Sequence, residues 1–407
     1  MVLFYNLSIR FYVLIVRIAA FFNPKAKQWV DGRKNLFPKI ASAVKDEENL
    51  VWFHAASLGE FEQGRPVIEK FKEEHPEYKI VLTFFSPSGY EVRKNYAGAD
   101  FIFYLPADFP SYARKFVDLV NPKMAFFIKY EFWYHYLKEL KKRNVPTYLF
   151  STIFRPSQLF FKAWGGFHRR MLSAFTHLFV QNQESEDLLN GIGFKNVSIA
   201  GDTRFDRVYS IAAGSKKLPE IEGFSQGRLV LIAGSTWPKD EEHLIKYINT
   251  SENNYKYIIA AHEVDENHIK NIVDQIKKPW VRYTGATKVE IEAAEVLVVN
   301  CIGVLSSLYR YGDVSYIGGG FGRGIHNTLE AATFGLPIIF GPNYRKFEEA
   351  KDLIELGASY SYERYEDLRI LLDKYFENEK ERLFSGEKSK KYVDSKRGAS
   401  AQILSII

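Results

Sequence analysis

Short apolar runs recur along all 407 residues, separated by stretches with the 3.6-residue spacing of half-buried helices. In the first half the runs are residues 50–54, 80–85, 101–105, 124–128, 147–151, 177–181 and 197–200; in the second half they are 229–233, 257–261, 296–299, 314–317 and 337–340. Amphipathic stretches lie between them, such as 61–74 and 111–119, then 239–249, 263–277, 302–311, 326–334 and 347–356. Strands that alternate with helices form parallel sheet covered on both faces. A chain this long exceeds one core. The break falls at 212–227, A-A-G-S-K-K-L-P-E-I-E-G-F-S-Q-G, which is polar, carries Gly and Pro, and lacks periodicity. The expected class is α/β, with two doubly wound, Rossmann-like domains over 25–211 and 228–385. Residues 386–407 read as helices able to pack back on the first domain. Such sheets bind ligands beyond the carboxyl ends of their strands, so the expected site is a central cleft that both domains face.

Composition narrows the partners. A net charge of +6 is too mild to imply nucleic acid and suits acidic small molecules or an anionic membrane. Cys301 is the single cysteine, which excludes an internal disulfide and a thiolate-rich zinc site. No H-x-x-x-H pair or D-x-D triplet occurs, so no metal is expected. Residues 1–24 are strongly apolar, but Arg10 and Arg17 interrupt them and they fall short of a clean span. Spaced with Asn6 on one helix face, the two arginines suggest a helix lying in a membrane interface with its basic face toward the headgroups. The competing reading is a helix packed on its own domain.

The densest motif is I-G-G-G-F-G-R-G-I-H-N-T-L-E, residues 317–330. An apolar strand enters a run of Gly318, Gly319, Gly320, Gly322 and Gly324 and then what reads as a helix. Bare backbone ahead of a helix N-terminus is a seat for phosphate. The run is out of register with G-x-G-x-x-G and sits late in its domain, which argues against NAD. His326 and Asn327 extend the site, Asn327 as an N-cap, and Glu330 is placed to accept ribose hydroxyls. In the first domain, H-A-A-S-L-G-E follows the first run: Ser57 and Gly59 make a turn and Glu60 stands at the strand's carboxyl end as a candidate general base. Ser86, Ser88 and Gly89 form the next loop, Glu131 the one after residues 124–128, and Arg204 closes the domain. In the second domain Ser235, Thr236 and His262 occupy equivalent strand ends and suit phosphate or base.

In this order the motifs are familiar. F-H-A-A-S-L-G-E from Phe53, T-F-F-S-P-S-G from Thr83, Y-L-P-A-D from Tyr104, Y-E-F-W from Tyr130, F-V-Q-N from Phe179, G-D-T-R-F-D from Gly201, the Gly318–Glu330 run and F-G-P-N-Y-R-K-F from Phe340 together resemble the 3-deoxy-D-manno-octulosonic acid (Kdo) transferase family, across nearly the whole chain. The resemblance implies the GT-B fold and an inverting glycosyltransferase of lipopolysaccharide synthesis, with CMP-Kdo as donor and a lipid A precursor, lipid IV(A), as acceptor. It implies no metal or other cofactor, and a peripheral site on the cytoplasmic face of the bacterial inner membrane, on anionic lipid. It makes Glu60 the base, Glu131 a second carboxylate, Arg204 and, by approximate alignment, Arg155 charge-neutralising groups, and His326, Asn327 and Glu330 the nucleotide segment. The chain departs from the family pattern at Trp237 (S-T-W-P for S-T-H-P), at Ala261 (A-A-H for P-R-H), and at Asp202 and Arg204 (G-D-T-R-F-D for G-N-T-K-F-D). Two alternatives stay open: a GT-B enzyme acting on UDP-sugars, either a lipid-linked transferase or an epimerase, and an inactive nucleotide-binding membrane protein.

Overall fold

Two seven-stranded, wholly parallel sheets account for the apolar runs. The first contains β1 (Leu50–Ala55), β2 (Lys79–Phe84), β3 (Phe101–Tyr104), β4 (Met124–Ile128), β5 (Thr147–Thr152), β6 (His177–Val180) and β7 (Val197–Ile199), in the order β3-β2-β1-β4-β5-β6-β7. The second contains β8 (Val230–Thr236), β9 (Lys256–Ala261), β10 (Trp280–Arg282), β11 (Val296–Val299), β12 (Val314–Ile317), β13 (Ile338–Phe340) and β14 (Ser359–Ser361), in the order β10-β11-β9-β8-β12-β13-β14. The computed structural model describes residues 1–407. β10 and β14 escape sequence reading because W-V-R and S-Y-S are three-residue edge strands without an apolar run.

The strands read as continuous apolar runs because both faces are covered. In β1 all six residues are buried; Trp52 joins one core with Val81 and Phe127, while Val51 and Phe53 join another with Leu82 and Phe126. Each sheet reverses its strand order once, between β1 and β4 in the first and between β8 and β12 in the second. Such a switch point opens a crevice at the strands' carboxyl ends.

The chain forms two compact units, Met1–Arg207 with Arg397–Ile407, and Val208–Lys396. This corrects the expected boundaries. Residues 212–227 lie inside the second unit, where Ile221 and Phe224 are buried, so their polar composition marks a surface connection and not a free linker. Of residues 386–407, the long helix Glu379–Ser395 stays with the second unit, where Ser389 donates to the carbonyl of Ala358. The first unit takes only the last eleven residues. The Asp206 carboxylate accepts the N–H groups of Gly398 and Ser400, both at 2.7 Å, and Ile403 and Leu404 enter its core.

The N-terminal helix, Val2–Ala19, is docked on the first unit and exposed at the same time. Its inward face holds Tyr5, whose hydroxyl donates to Asp108 at 2.5 Å, Asn6, 2.6 Å from the His135 ring, and the buried Val13. Leu3, Phe4, Leu7, Phe11, Leu14, Ile15 and Ile18 form an exposed apolar strip, continued by Phe21 and Phe22 at 83% and 87% exposure. The expected basic face is thus corrected: Asn6 points inward, and by helical spacing Arg10 and Arg17 run along one edge of an apolar face. The helix has a mean hydropathy of 1.6 and is long and apolar enough to cross a membrane by length and composition.

Candidate functional site

At the switch point of the first sheet, β1 ends in His54 and β4 leads into Glu131. The His54 ring is fully buried, with Nε2 3.0 Å from Glu131 Oε2 and Nδ1 2.8 Å from Thr83 Oγ1. Trp52 donates to the same Thr83 hydroxyl at 2.8 Å, and Trp133 donates to Glu131 at 2.6 Å. Nδ1 also lies 3.1 Å from the Thr83 carbonyl oxygen, so the ring bridges Thr83 and the carboxylate. Glu131, expected as a second carboxylate of the site, is buried with His54 Nε2 and Trp133 Nε1 against its Oε2.

Glu60 lies in the first turn of the helix Leu58–Glu74, half-buried, and Ser57 Oγ donates to its Oε2 at 2.6 Å. Placed between a solvent-reachable edge and the positive end of a helix, it is oriented and still accessible. Gly59 does not make the expected sharp turn. It sits within that first helical turn, and a Cβ there would meet nothing within 4 Å. Ser86 caps the helix Pro87–Arg93, accepting from Ser88 N at 3.3 Å, with the two hydroxyls 3.0 Å apart. Gly89 packs against the Phe84 ring, where a Cβ would come within 2.2 Å. Arg155 is exposed after β5 and reaches the Tyr130 hydroxyl at 3.4 Å. Arg204 donates through Nε and Nη2 to Asp202 Oδ2 at 2.8 and 2.7 Å. The two departures in G-D-T-R-F-D thus form one ion pair, and the Arg204 charge is already matched by a neighbour.

At the second switch point β8 ends in an irregularity between Gly234 and Thr236, with Ser235 in the left-handed region at φ 54°. β12 ends against it: a Cβ on Gly318 would lie 2.2 Å from the Ser235 carbonyl oxygen. The glycines are thus first a packing requirement. Asp240, fully buried, accepts the Gly319 N–H at 2.8 Å, the Tyr316 hydroxyl at 2.7 Å and the Trp237 N–H at 3.0 Å, and burial raises its pKa. One of the N–H groups assigned to phosphate is thereby occupied. The helix behind the run is also shorter than its sequence pattern, Leu329–Thr333 only. Asn327 precedes its cap, accepting Leu329 N at 3.0 Å and donating to Glu330 at 3.0 Å. The signal for Asp240 was present in W-P-K-D, the three-residue spacing of a capping box.

Thr236 donates to Glu241 at 2.9 Å, and Glu241 in turn holds the His268 ring at 2.9 Å. Glu263, Asp265 and His268 bring potential metal-ligand atoms within 4.8 Å of one another, although His268 Nε2 is already engaged by Glu241. Trp237, His262 and His326 make a ledge of rings: centroids are 4.7 Å apart for Trp237 and His262 and 4.4 Å for His262 and His326. Trp237 Nε1 donates to His326 Nε2 at 2.9 Å, which puts the His326 proton on Nδ1. Burial, with the neighbouring His262, lowers the His326 pKa. Flat rings at strand ends suit stacking of a planar base. Sequence reading left out a second group. The exposed end of the glycine run, Gly322 and Arg323, opens on a cavity of about 530 Å³ with Arg345 and Lys346 in its wall. Their signal was R-K in the G-P-N-Y-R-K loop that follows β13.

Known proteins decide between chemistries that this geometry allows. The profile of the family described as 3-deoxy-D-manno-octulosonic-acid transferase (kdotransferase) matches residues 31–207. The 3-deoxy-D-manno-octulosonic acid transferase of Aquifex aeolicus is 28% identical over 86% of this chain and 91% of its own length. That of Chlamydia trachomatis serovar A is 26% identical over 98% of this chain and 94% of its own. The chain is thus similar to Kdo transferases along most of its length. Among solved structures, a UDP-GlcNAc 2-epimerase from Neisseria meningitidis bound to UDP-GlcNAc shares the fold, with a TM-score of 0.61 at 12% identity over 88% of this chain and 99% of that one. The motif residues shared with the Kdo transferases lie at both switch points, with Trp237 standing in a ring stack where that family's pattern has a histidine.

Proposed function

We propose that this protein moves Kdo from CMP-Kdo to a hydroxyl of a lipid A precursor in lipopolysaccharide synthesis, with inversion at the anomeric carbon. The observation that carries the reading is the alignment of transferases of this one activity along almost the entire chain. Glu60 removes the acceptor hydroxyl proton as the oxygen bonds to the anomeric carbon. The bond from that carbon to the donor phosphate breaks, and its electron pair leaves with CMP. The transition state resembles an oxocarbenium ion, as in glycoside hydrolysis. Support for Glu60 lies in its accessible, Ser57-oriented carboxylate. Glu131, His54 and Trp133 position the strand ends that carry it. The second unit holds the donor: the Trp237, His262 and His326 rings take the cytosine, and Arg323, Arg345 and Lys346 meet the phosphate charge. In this scheme no metal enters. The apolar strip of the N-terminal helix docks the enzyme on anionic lipid at the cytoplasmic face of the inner membrane.

The test is incubation of the purified protein with CMP-Kdo and tetra-acylated lipid A precursor in mixed micelles. CMP release together with a Kdo-bearing lipid is the expected result; donor left intact beside both substrates rejects the reading. Thermal stabilisation by UDP and not by CMP would favour a UDP-sugar enzyme.

A further inference from the structure

Lys129 stands where β4 leaves the first sheet, next to the switch point. Its backbone is left-handed, at φ 70°, a conformation that glycine or asparagine adopts more readily. Both backbone groups are tied to β5. The Lys129 N–H donates to the Phe150 carbonyl at 2.8 Å, and the Thr152 hydroxyl donates to the Lys129 carbonyl at 2.7 Å. The side chain is half-buried, and its ammonium has neither a hydrogen bond nor an ion pair. Arg204 and Arg207, which follow β7, differ in this: Asp202 matches the first at 2.7 Å and Glu62 the second at 2.9 Å. The carboxylate nearest Lys129 along the chain, Glu131, is taken by His54 and Trp133. Nothing in the backbone calls for a lysine here, and strain held at a strand end marks a functional position. An ammonium that has given up part of its water without a counter-ion gains from an arriving anion.

Packing brings this residue level with Glu60. Gly64, four residues after Glu60 in the same helix, lies on Ile128 so closely that a Cβ would come within 2.1 Å of its Cδ1. Glu60 therefore stands one helical turn, about 5.4 Å, further toward the carboxyl end of the sheet. A strand advances about 3.3 Å per residue, which carries β4 over that distance to residues 129–130. An anion held by Lys129 thus lies beside the base. In the reaction proposed above, the oxygen that Glu60 deprotonates bonds to the anomeric carbon. An ulosonic acid carries its carboxyl group on that same carbon. The donor phosphate is bonded there too, but with inversion it leaves from the face opposite the attack, away from Glu60. The substrate anion nearest the base is therefore the carboxylate of the transferred sugar.

We propose that Lys129 is a donor-binding residue that holds the carboxylate of the Kdo unit beside Glu60, and so selects an acidic sugar over a neutral one. This rests on the transferase reading given above. The test compares wild type with Lys129→Met, which removes the charge and keeps the length, and with Lys129→Arg, which keeps the charge. Lys129→Gln is a second neutral variant should the first not fold. Steady-state transfer gives KM for CMP-Kdo and for the lipid, and inhibition by CMP gives the affinity for a ligand without the sugar. The neutral variant should raise KM for CMP-Kdo by about tenfold, the order expected of one charge-assisted contact, with the CMP inhibition constant and the lipid KM unchanged. Lys129→Arg should stay close to wild type. An unchanged KM for CMP-Kdo overturns the assignment, and so does an equal loss of CMP affinity, which a merely structural role would give. A rise confined to the lipid KM overturns it as well, because the anion would then be an acceptor phosphate. Failure of wild type to transfer Kdo would overturn the transferase reading instead, and equilibrium titration of CMP-Kdo and CMP into wild type and variants would then decide Lys129 by the same contrast.

Discussion

The Glu131 carboxylate lies 3.0 Å from the His54 ring and joins the ends of β4 and β1 where the first sheet reverses its order. Both side chains are buried, and Trp133 and Thr83 supply their remaining partners. A carboxylate held this way fixes geometry. Glu131→Ala removes the oxygen, Oε2, on which both donors converge, and leaves those N–H groups without an acceptor. The expected cost is about 1–3 kcal/mol. Chemical denaturation should show a lower midpoint at unchanged slope, and transfer should fall without weaker CMP-Kdo binding.

Glu60→Gln should behave differently. The carboxylate is half-buried and accepts a hydrogen bond from Ser57, so the fold should tolerate the amide. Loss of a general base predicts a fall in kcat of about 10²–10⁴-fold. Steady-state kinetics with CMP-Kdo, paired with donor titration, checks this; full activity removes Glu60 from the mechanism.

Two glycines in the same run predict opposite outcomes. Gly318→Ala drives a Cβ to 2.2 Å from the Ser235 carbonyl oxygen, and backbone cannot yield cheaply. Overpacking of this kind costs about 1–3 kcal/mol or more. Gly322→Ala meets nothing closer than 3.6 Å and should leave the melting temperature nearly unchanged.

Asp202 and Arg204 should couple. Asp202→Asn and Arg204→Lys, which install the family's usual residues singly, should each destabilise the first unit slightly more than the double change does. The Arg204 side chain is 37% exposed, so the coupling in a double-mutant cycle is expected at about 0.2–1 kcal/mol and to shrink at high salt. Additivity of the two single changes would contradict the pairing.

The lowered His326 pKa gives a pH dependence with a defined sign. The unfolded histidine takes up its proton near pH 6.5 while the buried folded ring resists it. Stability from this group is intact above that pH and lost as pH falls from there toward the folded pKa. His326→Gln, which keeps an acceptor for Trp237, should flatten the decline between pH 7 and 5, taking those as rough bounds around the unfolded value. A decline of equal steepness in the variant would rule His326 out as its source.

The alternation of apolar runs and amphipathic stretches determined the fold class, because strands buried on both faces leave an unbroken apolar signature. The edge strands β10 and β14 left none, since half-exposed backbone pairing needs no particular side chain. Motif order along the chain likewise determined the family and placed Glu60, Glu131, His262 and His326 at strand ends. Tertiary structure decided what each residue does there. Pairing distances of residues far apart in sequence, such as His54 with Glu131 or Asp240 with Gly319, arise only when the sheets close. They buried Glu131 against His54 and Trp133, and made the glycine run a packing surface with one exposed basic end. The same holds for Lys129: in sequence it is one basic residue after an apolar run, and only folding gives it a left-handed backbone and leaves its charge half-buried without a partner.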